Sequence, residues 1–316
     1  MRKLVFYLSL VLVFSCKPLG QSGTKDLKIT SDSIKKDLTY LASDELQGRN
    51  TGTPGIEKAA HYIEDRFKKN HIKPYFKTYR DSFRVKEVTG YNIIGFIEGN
   101  DPVLKDEVVI LGAHYDHIGF GKKVENDSIA NGANDDASGT CAVMVMADYF
   151  ALKKNNKRSI MFALFSGEEM GLLGSKHLAK KLKSEGLNLY TMIEFEMIGV
   201  PMVDKDYQAY ITGFDLSNMA SKINEYTNLN LVGLLPKAEE YQLFYRSDNY
   251  SFYKEFNKPC QTISTFDFTN YNYYHHVKDE ANQMDYEFMA DLINKLVPAI
   301  EKMSNTQTKE IQMNNE

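Results

Sequence analysis

The sequence predicts an α/β fold whose chemistry collects at one sheet edge. Three short apolar runs, residues 108–111, 159–165 and 189–197, have the length and the β-branched or aromatic content of strands buried on both faces. Each run gives way to residues that carry chemistry. His114, Asp116 and His117 follow the first, Ser166-Gly167-Glu168-Glu169 follow the second, and Glu196 sits at the end of the third. Helical patterns come between them, a nearly all-apolar stretch over residues 140–152 and a helix through His177 and Leu182. Strands alternating with helices build sheets with parallel strands, which bind ligands just outside the strands' carboxyl ends.

At the amino end, Arg2 and Lys3 precede apolar residues 4–14, followed by Ser15 and Cys16. A charged start, an apolar stretch too short to span a bilayer and a small-residue end form a secretory signal. Val13-Phe14-Ser15-Cys16 resembles a bacterial lipobox, although Phe14 is bulkier than that motif usually carries. The expectation is therefore an exported protein, periplasmic or at the cell surface. Residues 1–16 would be the signal peptide, residues 17–28 a tether, and a lipidated Cys16 an anchor to the bacterial outer membrane.

About 300 residues remain, enough for one large domain, placed here over residues 29–304. Residues 305–316 are polar and expected to fray. The formal net charge is −4, with signs mixed along the chain, and no basic block argues for nucleic acid. Beyond Cys16 only Cys141 and Cys260 occur, so no disulfide framework is expected.

Ser31-Asp32-Ser33 offer caps for a first helix burying Ile34, Leu38 and Leu41. Residues 48–55 read as a tight loop, and Ile56, Ala59, Ala60, Ile63 and Phe67 recur at helical spacing. Residues 76–85 and 91–97 suggest strands leading into the sheet. Further on come a strand over 207–212, a helix over 216–226, a short helix opened by Ser247-Asp248, and a last strand over 260–265. A closing helix carries Phe288, Leu292, Leu296 and Ile300.

His-x-Asp at a strand end supplies an imidazole ligand and a carboxylate able to orient it. Asn134-Asp135-Asp136-Ala137-Ser138-Gly139 adds acidic oxygens before small residues that open a helix. Of the adjacent Glu168 and Glu169, one can ligate a metal while the other serves as general base to a metal-bound water. Taken singly, each is equally a capped turn or a helix start enriched in acids. Their arrival at the same sheet end reads as a metal site.

With HYDH, NDDASG, SGEE, EMIG and YHH-x-x-D in this order, the chain resembles the dizinc aminopeptidases. Their superfamily includes glutamate carboxypeptidase, the transferrin receptor ectodomain and glutaminyl cyclase. The resemblance implies a three-layer α/β/α sandwich with a central mixed, mostly parallel sheet of about eight strands, and two Zn²⁺ ions at its carboxyl edge. Asp135 would bridge the ions, Glu169 and His275 would complete one site, and His114 and Glu196 the other. Asp116 would orient His114 through its carboxylate, and Glu168 would be the catalytic base and acid. His117 and His276 would support the ligands from behind or pack, rather than bind an ion themselves. Tyr274 would donate to the oxyanion, and Asp248 would line the substrate pocket. The family usually has Asp where this chain has Glu196, longer by about 1.5 Å, so that site is expected to be altered and open to other divalent ions. The implied substrates are peptides with a free N-terminus.

Three alternatives stay open at this point. A carboxypeptidase of this fold needs a cation for the substrate carboxylate, and Arg246 is the nearest candidate. A glutaminyl cyclase uses pocket tryptophans, whereas this chain has none. A receptor-like ectodomain loses ligands or the base, whereas each of those positions is filled here.

Overall fold

In a computed structural model, residue 1, residues 27–85 and residues 87–314 are described. Strands β1 (Lys73–Pro74), β2 (Arg80–Val85), β3 (Val88–Ile97) and β4 (Glu107–His114) follow helices α1 (Ser31–Leu41) and α2 (Pro54–Lys69). A hairpin of β5 (Gly119–Val124) and β6 (Asp127–Ala130) leads through an irregular turn, Ala133–Ala137, into α3 (Ser138–Lys153). Then come β7 (Ser159–Phe165), α4 (Leu173–Ser184), β8 (Asn188–Glu196), β9 (Ala209–Ile211), α5 (Met219–Thr227) and β10 (Val232–Gly233). The chain closes with α6 (Pro236–Glu240), α7 (Asn249–Phe256), β11 (Cys260–Ser264) and α8 (Tyr286–Asn305).

Nine strands form one mixed sheet in the order β1-β3-β7-β4-β8-β11-β9-β10, with β2 paired to β3. The centre is parallel, since β4 pairs in parallel with both β7 and β8, and β8 with β11. All four central strands therefore end at the same edge. Alternation along them builds two cores. Val109, Leu111, Ile160, Phe162 and Leu164 face one layer, packed with residues of α1, α2, α3, α5 and α8. Val108, Ile110, Met161, Ala163 and Phe165 face the other, under α4 and α7. The expected α/β/α sandwich is the observed architecture. Among the described residues, no helix is long and apolar enough to cross a membrane.

Local expectations are corrected at the ends. Thr30, rather than the serines after it, caps α1 by accepting from the Ser33 amide at 3.3 Å. The polar tail is docked through its described residues, up to residue 314. Ile311 is buried, its amide donates to the Tyr190 hydroxyl, and Met313 bridges to Ser217. Arg158 also donates to the carbonyls of Met303 and Thr306 at 3.0 and 2.6 Å. The signal and most of the tether lie outside the described residues.

The loop around residues 48–55 has a structural duty at the chemical edge. Arg49 is buried, and its guanidinium donates to the carbonyls of Tyr115 (2.9 Å), Asn131 (2.6 Å), Gly132 (2.9 Å) and Leu41. One planar fork thus ties the end of β4 to the turn carrying Asp135. Arg49→Ala orphans those buried carbonyls and is expected to cost about 3 kcal/mol or more. Arg49→Lys should recover little, because an ammonium lacks the fork. The denaturant midpoint of each variant, compared with wild type, checks both expectations, and a loss below about 1 kcal/mol would contradict them.

Candidate metal centre

The residues that close the strands converge. His114, the last residue of β4, places Nε2 3.2 Å from Asp135 Oδ1 and 3.4 Å from Glu196 Oε2. The other Asp135 oxygen lies 3.2 Å from His275 Nε2, and that nitrogen is 3.1 Å from Glu169 Oε2. Asp135 therefore faces two clusters at once. Five of the sequence-derived ligand candidates, His114, Asp135, Glu169, Glu196 and His275, come together as expected. The extra methylene of Glu196 does not carry it away, and its carboxylate is steadied by the Ser247 hydroxyl at 3.0 Å. Glu194, two residues earlier, turns elsewhere. It accepts from the Asp248 and Asn249 amides and from the Ser247 and Thr262 hydroxyls.

The turn bearing Asp135 is sewn in place by its own motif. Asn134 Oδ1 accepts the Gly199 amide, Asp136 Oδ1 the Met197 amide and Ser138 Oγ the Ile198 amide, at 2.8, 3.0 and 2.9 Å. Three alternate side chains thus satisfy three consecutive amides just past Glu196, which fixes the two acidic segments against each other. From the opposite side Asp279 accepts the Asn134 and Asp135 amides at 2.8 and 3.1 Å, and the Tyr271 hydroxyl at 2.6 Å. Sequence reasoning quoted Asp279 only as part of a pattern and gave it no role. Its acidic side chain four residues after His275 was the available signal.

Two assignments need correction. The Asp116 carboxylate is 3.7 Å from His114 Nδ1, and the hydrogen bond instead goes to the Asp116 main-chain carbonyl at 3.0 Å. The carboxylate accepts from Thr51 Oγ1 at 3.2 Å and from the Glu168 amide at 3.3 Å, so Asp116 positions His114 and Glu168 with different atoms. Asp248 does not line the pocket. It is fully buried beneath Ser247, with neither carboxylate oxygen hydrogen-bonded. A third finding concerns His117. It lies at the second cluster, with Nδ1 2.9 Å from Glu169 Oε1, where the sequence reading expected a residue that supports the ligands or packs. His276 does stay outside, accepting the Lys278 amide within its own turn.

Electrostatics here follow from crowding. Burial, chiefly, pushes the Glu168 carboxyl well above its ordinary range, with Asp248, Glu196 and Glu169 adding to the effect and His114 opposing it. Burial would lower both imidazoles, yet Glu196 and Glu168 raise His114, and the partners Asp135 and Glu169 push His275 up to about 10. Asp135, conversely, is held below the usual carboxylate range by His114 and His275 despite its burial. Several buried polar atoms have no hydrogen-bond partner, among them Asp135 Oδ2, Glu169 Oε1 and both ring nitrogens of His117. His114, Asp135 and Glu196, and likewise His117, Asp135 and Glu169, can each close around one cation. Orphaned donors of this hardness and geometry suit divalent ions such as zinc.

Glu168, Glu196 and Asp135 border a cavity of about 110 Å³. Met197, Tyr210, Leu243, Phe266 and Phe268 make its apolar walls, and exposed Arg246 stands among its lining residues. Tyr274 also lines it, stacked on His275 with ring centroids 4.0 Å apart, and burial followed by the charges of Asp135 and Glu169 keeps its phenol protonated.

Comparison with known proteins gives the family and the fold. A probable zinc metalloprotease of Pyrenophora tritici-repentis is 38% identical over 108 residues, covering 34% of this chain and 24% of the relative. The chain thus matches about a quarter of that relative's length. In three dimensions the LapA aminopeptidase of Legionella pneumophila superposes with a TM-score of 0.68 at 21% identity, over 88% of this chain and 73% of LapA. The glutaminyl cyclase of Porphyromonas gingivalis gives 0.67 at 15% identity, over 87% and 98%. At such identities the two structures speak for the fold. The sequence pattern of peptidase family M28 runs over residues 92–298, spanning β3 to α8 and every residue of both clusters, and the chain belongs to that family.

Proposed function

We propose that this protein is an exported zinc aminopeptidase that removes N-terminal residues from peptides. The observation that carries the reading is the pair of clusters sharing Asp135 beside a small apolar cavity, with Glu168 among the residues that line it. His114, Asp135 and Glu196 would hold one ion, and Asp135, Glu169 and His275 the other. When bound, a pair of zinc ions supplies Lewis acidity, polarising the scissile carbonyl and acidifying water.

The chain's own groups do the rest. Glu168 accepts a proton from the attacking water and delivers it to the departing amine. Its raised affinity for protons belongs to the ion-free site, and cations beside it would lower that affinity and leave an ionised carboxylate able to act as the base. The protonated Tyr274 hydroxyl, at the cavity wall, donates to the carbonyl oxygen as charge develops there. Carboxylates at the reacting end attract a free α-ammonium and repel a terminal carboxylate, which favours the amino end of a peptide. Arg246 is the one Lys or Arg among the described residues lining the cavity and is exposed, so a carboxypeptidase would lack a buried cation. The apolar walls suit an apolar first side chain. The signal pattern of residues 1–16 supports export, and Cys16 supports a lipid anchor.

Glu168→Gln keeps the shape but not the base, so kcat should fall about 10³-fold with metal content unchanged. Steady-state kinetics on an apolar aminoacyl chromogenic amide, with metal analysis alongside, measure this. Activity within tenfold of wild type would sink the assignment. The same amide carrying an N-acetyl group should not be cleaved by the wild type, and comparable turnover of the blocked substrate would refute amino-end specificity.

A pH prediction follows from the imidazoles. His275 binds its proton more tightly folded, with a pKa of about 10 against an ordinary 6.5. This group's contribution to the stability of the ion-free protein is complete below about pH 6.5 and lost as pH climbs towards 10. His114 acts in the same direction. Ions must displace these protons, so zinc affinity should rise with pH and binding at pH 7 should release protons. Titration calorimetry in buffers of different ionisation heat reads the release directly, and an observed heat independent of buffer would contradict it.

A further inference from the structure

We infer that His117 is a fourth protein ligand of the ion held by Asp135, Glu169 and His275, so that this half of the centre is closed by protein while the His114 half stays open. The inference rests on the dinuclear reading above and extends it to a residue the family pattern leaves unassigned.

The ring of His117 is completely buried, and neither nitrogen has a hydrogen-bond partner. A buried imidazole with both nitrogens orphaned is costly unless something else satisfies it. Its Nδ1 is aimed into the cluster, 2.9 Å from Glu169 Oε1 and 3.8 Å from Asp135 Oδ2, and neither oxygen makes a well-aligned hydrogen bond although imidazoles stand within 3.2 Å of each. Ligands around a tetrahedral zinc, each about 2.0–2.1 Å from the ion, stand roughly 3.4 Å apart. The two observed separations straddle that figure, and the 3.1 and 3.2 Å from His275 to the same carboxylates fall just below it. The rings of His117 and His275 meet edge to face at 5.7 Å, so they approach the shared carboxylates from different directions.

The chain also makes room for this ring. Gly132 has φ +58°, and a Cβ there would lie 2.5 Å from His117 Cγ. A side chain at this position would press on the imidazole and, at 2.4 Å, on the Asp135 carbonyl oxygen, so both the ring and the turn bearing Asp135 depend on this glycine. Two features of independent origin, an orphaned buried nitrogen and a glycine cradle, thus serve the same placement.

Four protein donors at one ion and three at the other make the halves unequal. The fuller set resembles closed structural sites, and the set of three leaves a position for water or substrate. The test uses the full chain stripped of metal, with His117→Gln as the near-isosteric variant and His117→Ala as a second. Zinc titration calorimetry should show two ions on the wild type, and one of them weakened at least 100-fold in both variants while the other is unchanged. The absorption spectrum of the first Co²⁺ equivalent should change in the variants as an imidazole is lost. Far-UV circular dichroism verifies folding, and wild-type stoichiometry, affinities and Co²⁺ spectrum in a folded variant would overturn the inference. So would retention by the glutamine variant alone, which would make His117 a hydrogen-bonding support for Glu169. If the wild type itself binds no ion, the dinuclear reading fails first and this inference with it.

Discussion

Mutual repulsion among carboxylates is the constraint around which this molecule is built. Asp116, Asp135, Asp136, Glu168, Glu169, Glu194, Glu196 and Asp248 all gather near the ends of the central parallel strands, most of them buried. Such a concentration of negative charge in a low-dielectric interior is unfavourable unless protons, cations or directed hydrogen bonds compensate. The chain uses all three. Glu194 collects two amides and two hydroxyls, Asp136 collects amides of Gly139 and Met197, and Glu168 and Asp248 hold on to protons. Asp135 and Glu169 are left ionised against protonated imidazoles, whose protons a metal ion would displace.

Rigidity at this edge comes from polar pinning rather than from apolar packing. The guanidinium of Arg49, the carboxylate of Asp279 and the Asn134-Asp136-Ser138 triplet each satisfy several backbone groups from a different segment. Residues from β4, the turn before α3, the loop after β8 and the segment before α8 are thereby held in one frame. Ligand geometry is set to tenths of an ångström by such bonds, since each must be short and aligned to form.

Much of this was legible in the sequence. Residues 159–165 form β7 over the whole predicted run, and the ends of β4, β7 and β8 do bring His114, Glu168, Glu169 and Glu196 together. Apolar runs report burial on both faces, and parallel pairing aligns their carboxyl ends, so the edge could be inferred without coordinates. What escaped depends on which atom of a residue points where. Asp116 reaches His114 through its carbonyl, and no residue type announces that. Glu194 and Glu196 share a strand face by the period of two, and only the α7 amides decide which one turns away. His117 was set aside because a pattern of spacings carries no information about an orphaned ring nitrogen. The tail was misread because one apolar residue, Ile311, and a few hydrogen bonds suffice to dock an otherwise polar segment.

The two-sided carboxylate of Asp135 has an energetic corollary. One oxygen faces His114 and the other faces His275, so neither half of the site possesses a complete donor set of its own. If two ions are held as proposed, their occupancies would therefore be linked functions. An ion on one side orients the shared group and draws its charge, and any change this makes to affinity on the other side is returned by the same factor. On the proposed reading, selectivity for a particular pair of ions would in that sense be a property of the pair, written into a single side chain.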